Sequence, residues 1–283
     1  MYREWTRARL HGEPNDPEAW GDLTAEPRGT DYIETDAGSL PAMWVLPKGH
    51  DPGAVVLCLH GGGFVGGSIY THRKMFGHLA KALGARALLV DYRLAPAHVF
   101  PAQLDDATAA YRWLLDEGAG HIAVAGDSSG GGLALALMLR ARAEDLPLPT
   151  AGLLISPWVD MALTGASYET NAATETFFFR DVVAQLAQLY LGGTSPTSPP
   201  ASPLHADLAG LPPLYLQVGG EETLLDDSRL LAERARAAGV DVRLDVFPQQ
   251  QHSFQMAAGR APEADDAIAR FAAWARPLLG GAR

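Results

Sequence analysis

The run Gly126-Asp127-Ser128-Ser129-Gly130-Gly131 holds a serine in the spacing G-x-S-x-G, after an apolar stretch and before a helical pattern. That spacing puts a serine on a sharp strand-to-helix turn, where glycines remove side chains from a crowded backbone. The frame selects Ser128 over Ser129, because the alternative frame would open on Asp127. A serine hydroxyl is a weak nucleophile near neutral pH; it needs a base within hydrogen-bond reach, and the base needs an acid to orient it. Such a set performs acyl transfer through a covalent intermediate.

Two histidines follow Ser128 in the chain. His252 lies in Gln249-Gln250-Gln251-His252-Ser253-Phe254, just past a strand pattern, where a loop carries it to the C-terminal edge of a sheet. His205 sits among prolines and reads as a surface residue, so His252 is the candidate base. Four carboxylates crowd the segment after the strand pattern Leu214 to Val218: Glu221, Glu222, Asp226 and Asp227. The two aspartates head a helical pattern, where capping and the helix dipole already account for them. Local pattern leaves Glu221 and Glu222 both open as the acid.

A tetrahedral intermediate also needs backbone N–H groups aimed at its oxyanion. His60-Gly61-Gly62-Gly63-Phe64-Val65-Gly66-Gly67 follows the first core strand pattern, and its glycines allow close approach to a substrate. Two of these amides and that of Ser129 would form the hole. The same residues match G-x-G-x-x-G, with Asp91 ending the next strand pattern, which would mark a dinucleotide site. That reading is set aside: Gly67-Ser68-Ile69-Tyr70 intervene before helical pattern resumes, whereas a dinucleotide site needs the helix to open within the glycines. Asp91 in Asp91-Tyr92-Arg93-Leu94-Ala95-Pro96 belongs to a hydrogen-bonded turn at a strand end. Serine chemistry needs no cofactor.

These residues must be carried to one edge by regular elements. Asp31 to Thr35 and Met43 to Leu46 flank a turn and read as an antiparallel hairpin. Strand patterns then cover Ala54 to His60, Ala85 to Asp91, His121 to Asp127, Ala151 to Trp158, Leu214 to Gly220 and Val240 to Phe247. Helical patterns cover His72 to Leu83, Pro101 to Glu117, Gly131 to Arg142, Asp226 to Ala238 and Pro262 to Leu279. The alternation predicts an α/β fold, a mostly parallel sheet with helices on both faces. Val159 to Pro213 breaks the rhythm and reads as an insertion with a helix at Asp181 to Leu191, so one domain carrying a small cap is expected.

Composition narrows the partners. The 283 residues carry 22 basic and 33 acidic side chains, a net charge of −11 that disfavours nucleic acid or an anionic membrane surface. No stretch reaches the roughly 18 apolar residues of a bilayer span, and the N-terminal residues lack an apolar signal core, so a cytoplasmic protein is expected. The one cysteine, Cys58, lies inside an apolar run and reads as core, which excludes a disulfide framework.

His60-Gly61-Gly62-Gly63, Asp91-Tyr92-Arg93-Leu94-Ala95-Pro96, Gly126-Asp127-Ser128-Ser129-Gly130-Gly131 and the downstream Glu/His pair together resemble the hormone-sensitive-lipase family of α/β-hydrolases, the bacterial family IV carboxylesterases. The resemblance spans roughly residues 30 to 280. It implies an eight-stranded sheet, a cap from about residues 1–30 and 159–213, and a metal-free Ser-acid-His triad. The family usually has Asp-Pro-Leu-Arg-Asp-Glu-Gly after the seventh strand; Glu222-Thr223-Leu224-Leu225-Asp226-Asp227-Ser228 fits that frame with Glu for Asp, which puts the acid at Glu222. By the same resemblance the oxyanion donors are Gly62, Gly63 and Ser129. Ala97 departs from the family, which usually carries Glu there in the Arg93 turn.

The expected activity is hydrolysis of short- to medium-chain acyl esters, with a small-molecule ester as partner. Phe64, Val65, Trp158, Phe177, Phe178 and Phe179 are candidates for an apolar pocket wall. Within the same fold a lactone hydrolase or an arylformamidase would use the same triad, and a non-catalytic ligand-binding module is the alternative from another class. The family often dimerises through its last strand, here near Val240 to Phe247.

Overall fold

The computed structural model describes residues 17–280. Part of the expected N-terminal cap, and the N-terminal residues read as lacking a signal, therefore lie outside the described residues. Eight strands form one sheet in the order β1-β2-β4-β3-β5-β6-β7-β8. They are β1 (Thr30–Ala37), β2 (Leu40–Pro47), β3 (Asp51–Leu59), β4 (Ala85–Val90), β5 (His121–Asp127), β6 (Ala151–Ile155), β7 (Leu214–Gly219) and β8 (Val242–Phe247). β2 is antiparallel to both neighbours, and β4 through β8 pair in parallel.

Strand alternation decides which helices pack where. Val55, Leu57 and Leu59 of β3 face α2 (Ala102–Asp116) and α3 (Ser129–Ala143), with Val124, Leu154 and Leu216 from neighbouring strands. Val56 and Cys58 face the other way, toward α1 (Ile69–Leu83) and α7 (Pro262–Ala275), with Ala125, Leu153 and Tyr215. Each fully buried aliphatic side chain contributes about 1.5–3 kcal/mol, so the β3 register is fixed from both faces. The remaining helices are α4 (Ser167–Thr170), α5 (Arg180–Leu191) and α6 (Leu225–Ala237); α4 and α5 lie in the long β6–β7 connection.

Of the boundaries that differ from the sequence pattern, three have a clear local reason. α1 starts at Ile69, because Ser68 caps it: its hydroxyl accepts from the Tyr70 and Thr71 amides while Thr71 reaches back to the Ser68 amide. The polar but buried Thr71 and His72 hide this turn from an apolar pattern. β6 ends at Ile155, since Ser156 takes φ 42° and Pro157 has no N–H for the ladder. α3 begins at Ser129, two residues before its expected start, and is buried on nearly every side, so it carries no polar stripe to mark its beginning.

Parallel strands leave their C-terminal ends along one edge. The residues after β3, β5, β7 and β8 therefore meet there.

Candidate active site

β5 stops at Asp127 and α3 starts at Ser129, so Ser128 alone makes the turn, with φ 53° and ψ −119°. A positive φ is costly for a residue with a Cβ and persists only where the surroundings enforce it. Here the enforcement is backbone against backbone: a Cβ on Gly130 would lie 2.1 Å from the Leu59 carbonyl oxygen. The Ser128 amide donates to the Ile155 carbonyl at 2.8 Å, and its carbonyl accepts from the Trp158 amide at 3.0 Å.

His252 Nε2 lies 2.9 Å from Ser128 Oγ, and His252 Nδ1 lies 3.2 Å from Glu222 Oε1. The second Glu222 oxygen accepts from Ser156 Oγ at 2.8 Å and from the Gly219 amide at 2.9 Å. All three side chains are buried. Glu221 instead accepts from the Gln251 side-chain amide at 2.8 Å, so the carboxylate that faces His252 is Glu222. Burial works to lower the His252 pKa, but the charge and hydrogen bond of Glu222, with the charges of Asp127 and Glu175, outweigh it and raise it above the ordinary imidazole value.

The loop after β3 is set by His60 and by glycine. Gly62 has φ 128°, and a Cβ there would fall 2.1 Å from the Gly66 carbonyl oxygen. His60 donates from Nδ1 to the Gly61 carbonyl at 2.9 Å, and its ring stacks on Tyr92 at 4.2 Å. Burial, with His72 nearby, pushes the His60 pKa down to about 3, so the ring is neutral. The Phe64 amide donates to Ser129 Oγ at 3.3 Å, which ties this loop to the head of α3. Gly62 lines a cavity of about 50 Å³ with Ser128, His252, His72, Trp20 and Phe178, whereas Gly63 packs toward Leu186.

The arrangement is a serine at a strained elbow, an imidazole on its hydroxyl, a carboxylate behind the imidazole and a glycine loop beside them. A crystal structure of an esterase from the bacterial hormone-sensitive lipase family shares the overall fold of this chain with a TM-score of 0.95 at 44% identity, covering 98% of this chain and 97% of that one. A profile of the alpha/beta hydrolase fold matches residues 56–256. The chain belongs to the bacterial hormone-sensitive lipase family of α/β-hydrolases. An acetyl-hydrolase of Streptomyces hygroscopicus is 41% identical over 265 residues, 93% of this chain and 87% of that protein. An esterase of Acinetobacter venetianus is 37% identical over 227 residues, 79% and 75% of the two chains. A structure of EstE5 soaked with p-nitrophenyl butyrate aligns with a TM-score of 0.92 at 37% identity, covering 99% and 98%.

In this hydrolase the expected pocket wall needs correction. Phe64 is buried and stacks on Tyr190 at 3.8 Å, with Trp158 packed behind it, so both belong to the core beneath the loop. Val65 is half-buried but does not line the cavity, and Phe179 is exposed at the head of α5. Phe177 packs edge-on to Trp20 at 4.9 Å, one layer from the cavity. The wall is Phe178, whose ring stands edge-on to His252 at 4.5 Å, together with Trp20 from the 3₁₀-helix Pro17–Leu23. No periodic signal marks Trp20, because the segment holding it is a short 3₁₀-helix outside any amphipathic α-helix.

Three polar expectations change as well. Asp227 is buried and accepts from the Val159 and Asp160 amides at 2.9 and 3.0 Å, so it ties the start of the insertion to α6 and caps nothing. Asp226 accepts from the Ser167 amide at 2.9 Å, again in the insertion. His205 is only a quarter exposed and bonds Asp160 at 2.9 Å. The Arg93 turn closes without residue 97, because Asp106 of α2 takes the Arg93 amide at 2.9 Å and its guanidinium at 2.7 Å.

Sequence reasoning missed Glu175. One oxygen of this buried carboxylate accepts from the amides of Thr176, Phe177 and Phe178, and the other accepts from the Thr223 amide beside Glu222. A lone acid just before three phenylalanines was its only trace in the sequence. No helix among the described residues is long and apolar enough to cross a membrane.

Proposed function

We propose that this chain is a serine carboxylesterase that hydrolyses short- to medium-chain acyl esters through an acyl-enzyme on Ser128. The observation that carries the reading is the hydrogen-bonded line from Ser128 Oγ through His252 to Glu222 at the floor of the cavity. The esterase names of its relatives support it.

Ser128 Oγ attacks the ester carbonyl as His252 Nε2 takes its proton, and the carbonyl electrons move to the oxygen. The amides of Gly62, Gly63 and Ser129 receive that oxyanion; one such donor is worth about 100- to 1,000-fold in kcat. Collapse breaks the bond to the alkoxide oxygen, which leaves with the proton from His252. Water then attacks the acyl-enzyme by the same route and frees the acid and Ser128. Glu222 holds the tautomer with Nδ1–H toward itself and stabilises the imidazolium that forms. The segments 17–30 and 159–213 act as the cap, a reading supported by Trp20 and Phe178, one from each, lining the cavity. A homodimer through β8 is part of the same proposal, because β8 is the last strand of the sheet and leaves one edge unpaired within it.

Hydrolysis of p-nitrophenyl esters from acetate to palmitate tests the reading. Rates should be highest on the short acyl chains and vanish in Ser128→Ala, which should also lose covalent labelling by an organophosphate. Labelling at a different residue would sink the proposal.

A further inference from the structure

A belt of hydrogen bonds runs beneath the triad, and the mechanism above leaves its centre unused. Asp127 is 1% exposed. Its Oδ1 accepts from Ser253 Oγ, and its Oδ2 lies 3.2 Å from His72 Nε2. With the Nε2 proton directed at Asp127, the Gly61 amide nitrogen packs 3.2 Å from the same His72 nitrogen without sharing that proton, while His72 Nδ1 meets the Thr71 hydroxyl at 2.7 Å. Ser253 directly follows His252, sits at φ 54°, and donates its amide to Ser156 Oγ at 3.2 Å. Ser156, at φ 42°, donates in turn to Glu222.

One carboxylate therefore joins two loops that have no covalent reason to share a register. One carries the base and the other carries the glycine amides. Desolvating a carboxylate costs several kcal/mol, so a group that only filled space here would be apolar or neutral. The fit is also specific: a Cβ on residue 61 would come within 2.6 Å of Asp127 Oδ2.

We propose that Asp127 is a positioning residue for acyl transfer, holding the histidine loop through Ser253 and the oxyanion loop through His72 and Gly61 so that both face one carbonyl carbon. The proposal rests on the esterase reading above. The charge of Asp127 acts on the base as well: Glu222, Asp127 and Glu175 face His252, while His72 and His60 face Asp127. Asp127→Asn keeps an oxygen for Ser253 and a polar group for His72 but removes the charge. It separates positioning plus charge from packing.

The test measures kcat and KM for p-nitrophenyl acetate against pH, with thermal unfolding as the control. Asp127→Asn should lower kcat about 10- to 100-fold, the scale of a small misplacement of reacting groups. Its KM should stay within about twofold, and the acid limb of kcat/KM should move to lower pH. Ser253→Ala should lower kcat less, and adding it to Asp127→Asn should cost less than it does alone, since both act on one path. Should Asp127→Asn fail to fold, Ser253→Ala at an unchanged unfolding midpoint carries the same test. Wild-type kcat and an unmoved limb in Asp127→Asn, or wild-type kcat in Ser253→Ala, would overturn the proposal. A wild-type chain that neither turns over esters nor labels at Ser128 would instead overturn the esterase reading.

Discussion

The nucleophile and its general base are held at their meeting point by different means. Around Ser128 the chain is locked by close backbone approach, with Gly130 against the Leu59 and His60 carbonyls and the elbow bonded to the ends of β6 and its following turn. Around Glu222 and His252 the fixing groups are side chains, and many come from the insertion. Asn171 donates to the Gly220 and Glu222 carbonyls, Thr174 to that of Glu221, Thr176 to Gln251, and Glu175 takes the Thr223 amide. Backbone packing is not absent there, since Gly219 and Gly220 lie against the Pro248–Gln251 segment. The difference is one of tolerance: a side-chain strap can weaken by degrees, whereas a backbone contact has no smaller residue than glycine to fall back on.

The sharpest way to break this contrast is to add one methyl group on the nucleophile side. Gly130→Ala should cost about 3 kcal/mol or more, the upper range for overpacking, because the obstruction is backbone. Urea unfolding checks it, and a variant of wild-type stability would mean that the elbow is not locked as described. On the acid–base side, Glu222→Gln should fold but lose about 1,000- to 10,000-fold in kcat, as expected when the histidine loses the partner that fixes its tautomer.

Glu175→Gln sharpens the comparison further. It keeps one acceptor and should lose about tenfold in kcat, with little change in unfolding midpoint. Both glutamate variants should move the acid limb in the same direction. Only neutral His252 can take the serine proton, and the carboxylates keep the ring protonated to higher pH than an ordinary imidazole. Activity therefore falls as pH drops through that raised value, and removing a negative charge shifts the fall to lower pH. A limb that moved upward in either variant would contradict this account.

The smallest effect concerns the root of the insertion. Burial pushes the Asp227 carboxyl up to about 8 from its ordinary 3.8, against the opposing pull of the Val159 amide. The folded chain then keeps a proton that the unfolded chain releases above about pH 4. Its stabilising contribution is complete below that pH and is lost as pH rises toward about 8. Asp227→Asn preserves an acceptor for the two amides, so it should flatten the loss of urea stability between pH 5 and 8 and leave kcat near wild type. An unchanged slope would remove Asp227 as its source.

What was legible in the sequence follows from how local each cause is. Strand alternation, the elbow glycines and the order of Ser128 before His252 are short-range patterns, and the sheet and the meeting of these residues could be read from them. Glu221 and Glu222 could not be told apart by local pattern, because what separates them is the Gln251 amide on another loop. Asp227 was misread for the same reason: its partners lie 67 and 68 residues away. The cavity wall was misassigned because Phe64 and Phe178 are equally apolar, and only the fold decides which one meets Tyr190 and which meets His252.

Cys58 gives the molecule a built-in reporter. It is the sole thiol of all 283 residues, it lies in the middle of the sheet on β3, and burial raises its pKa well above the ordinary thiol value. A thiol reagent can reach it only when the strand is exposed, because the folded chain offers neither access nor thiolate. The rate of modification then tracks the population of opened chain, so a bound inhibitor or a substitution at the elbow can be scored by chemical trapping alone, with no engineered label.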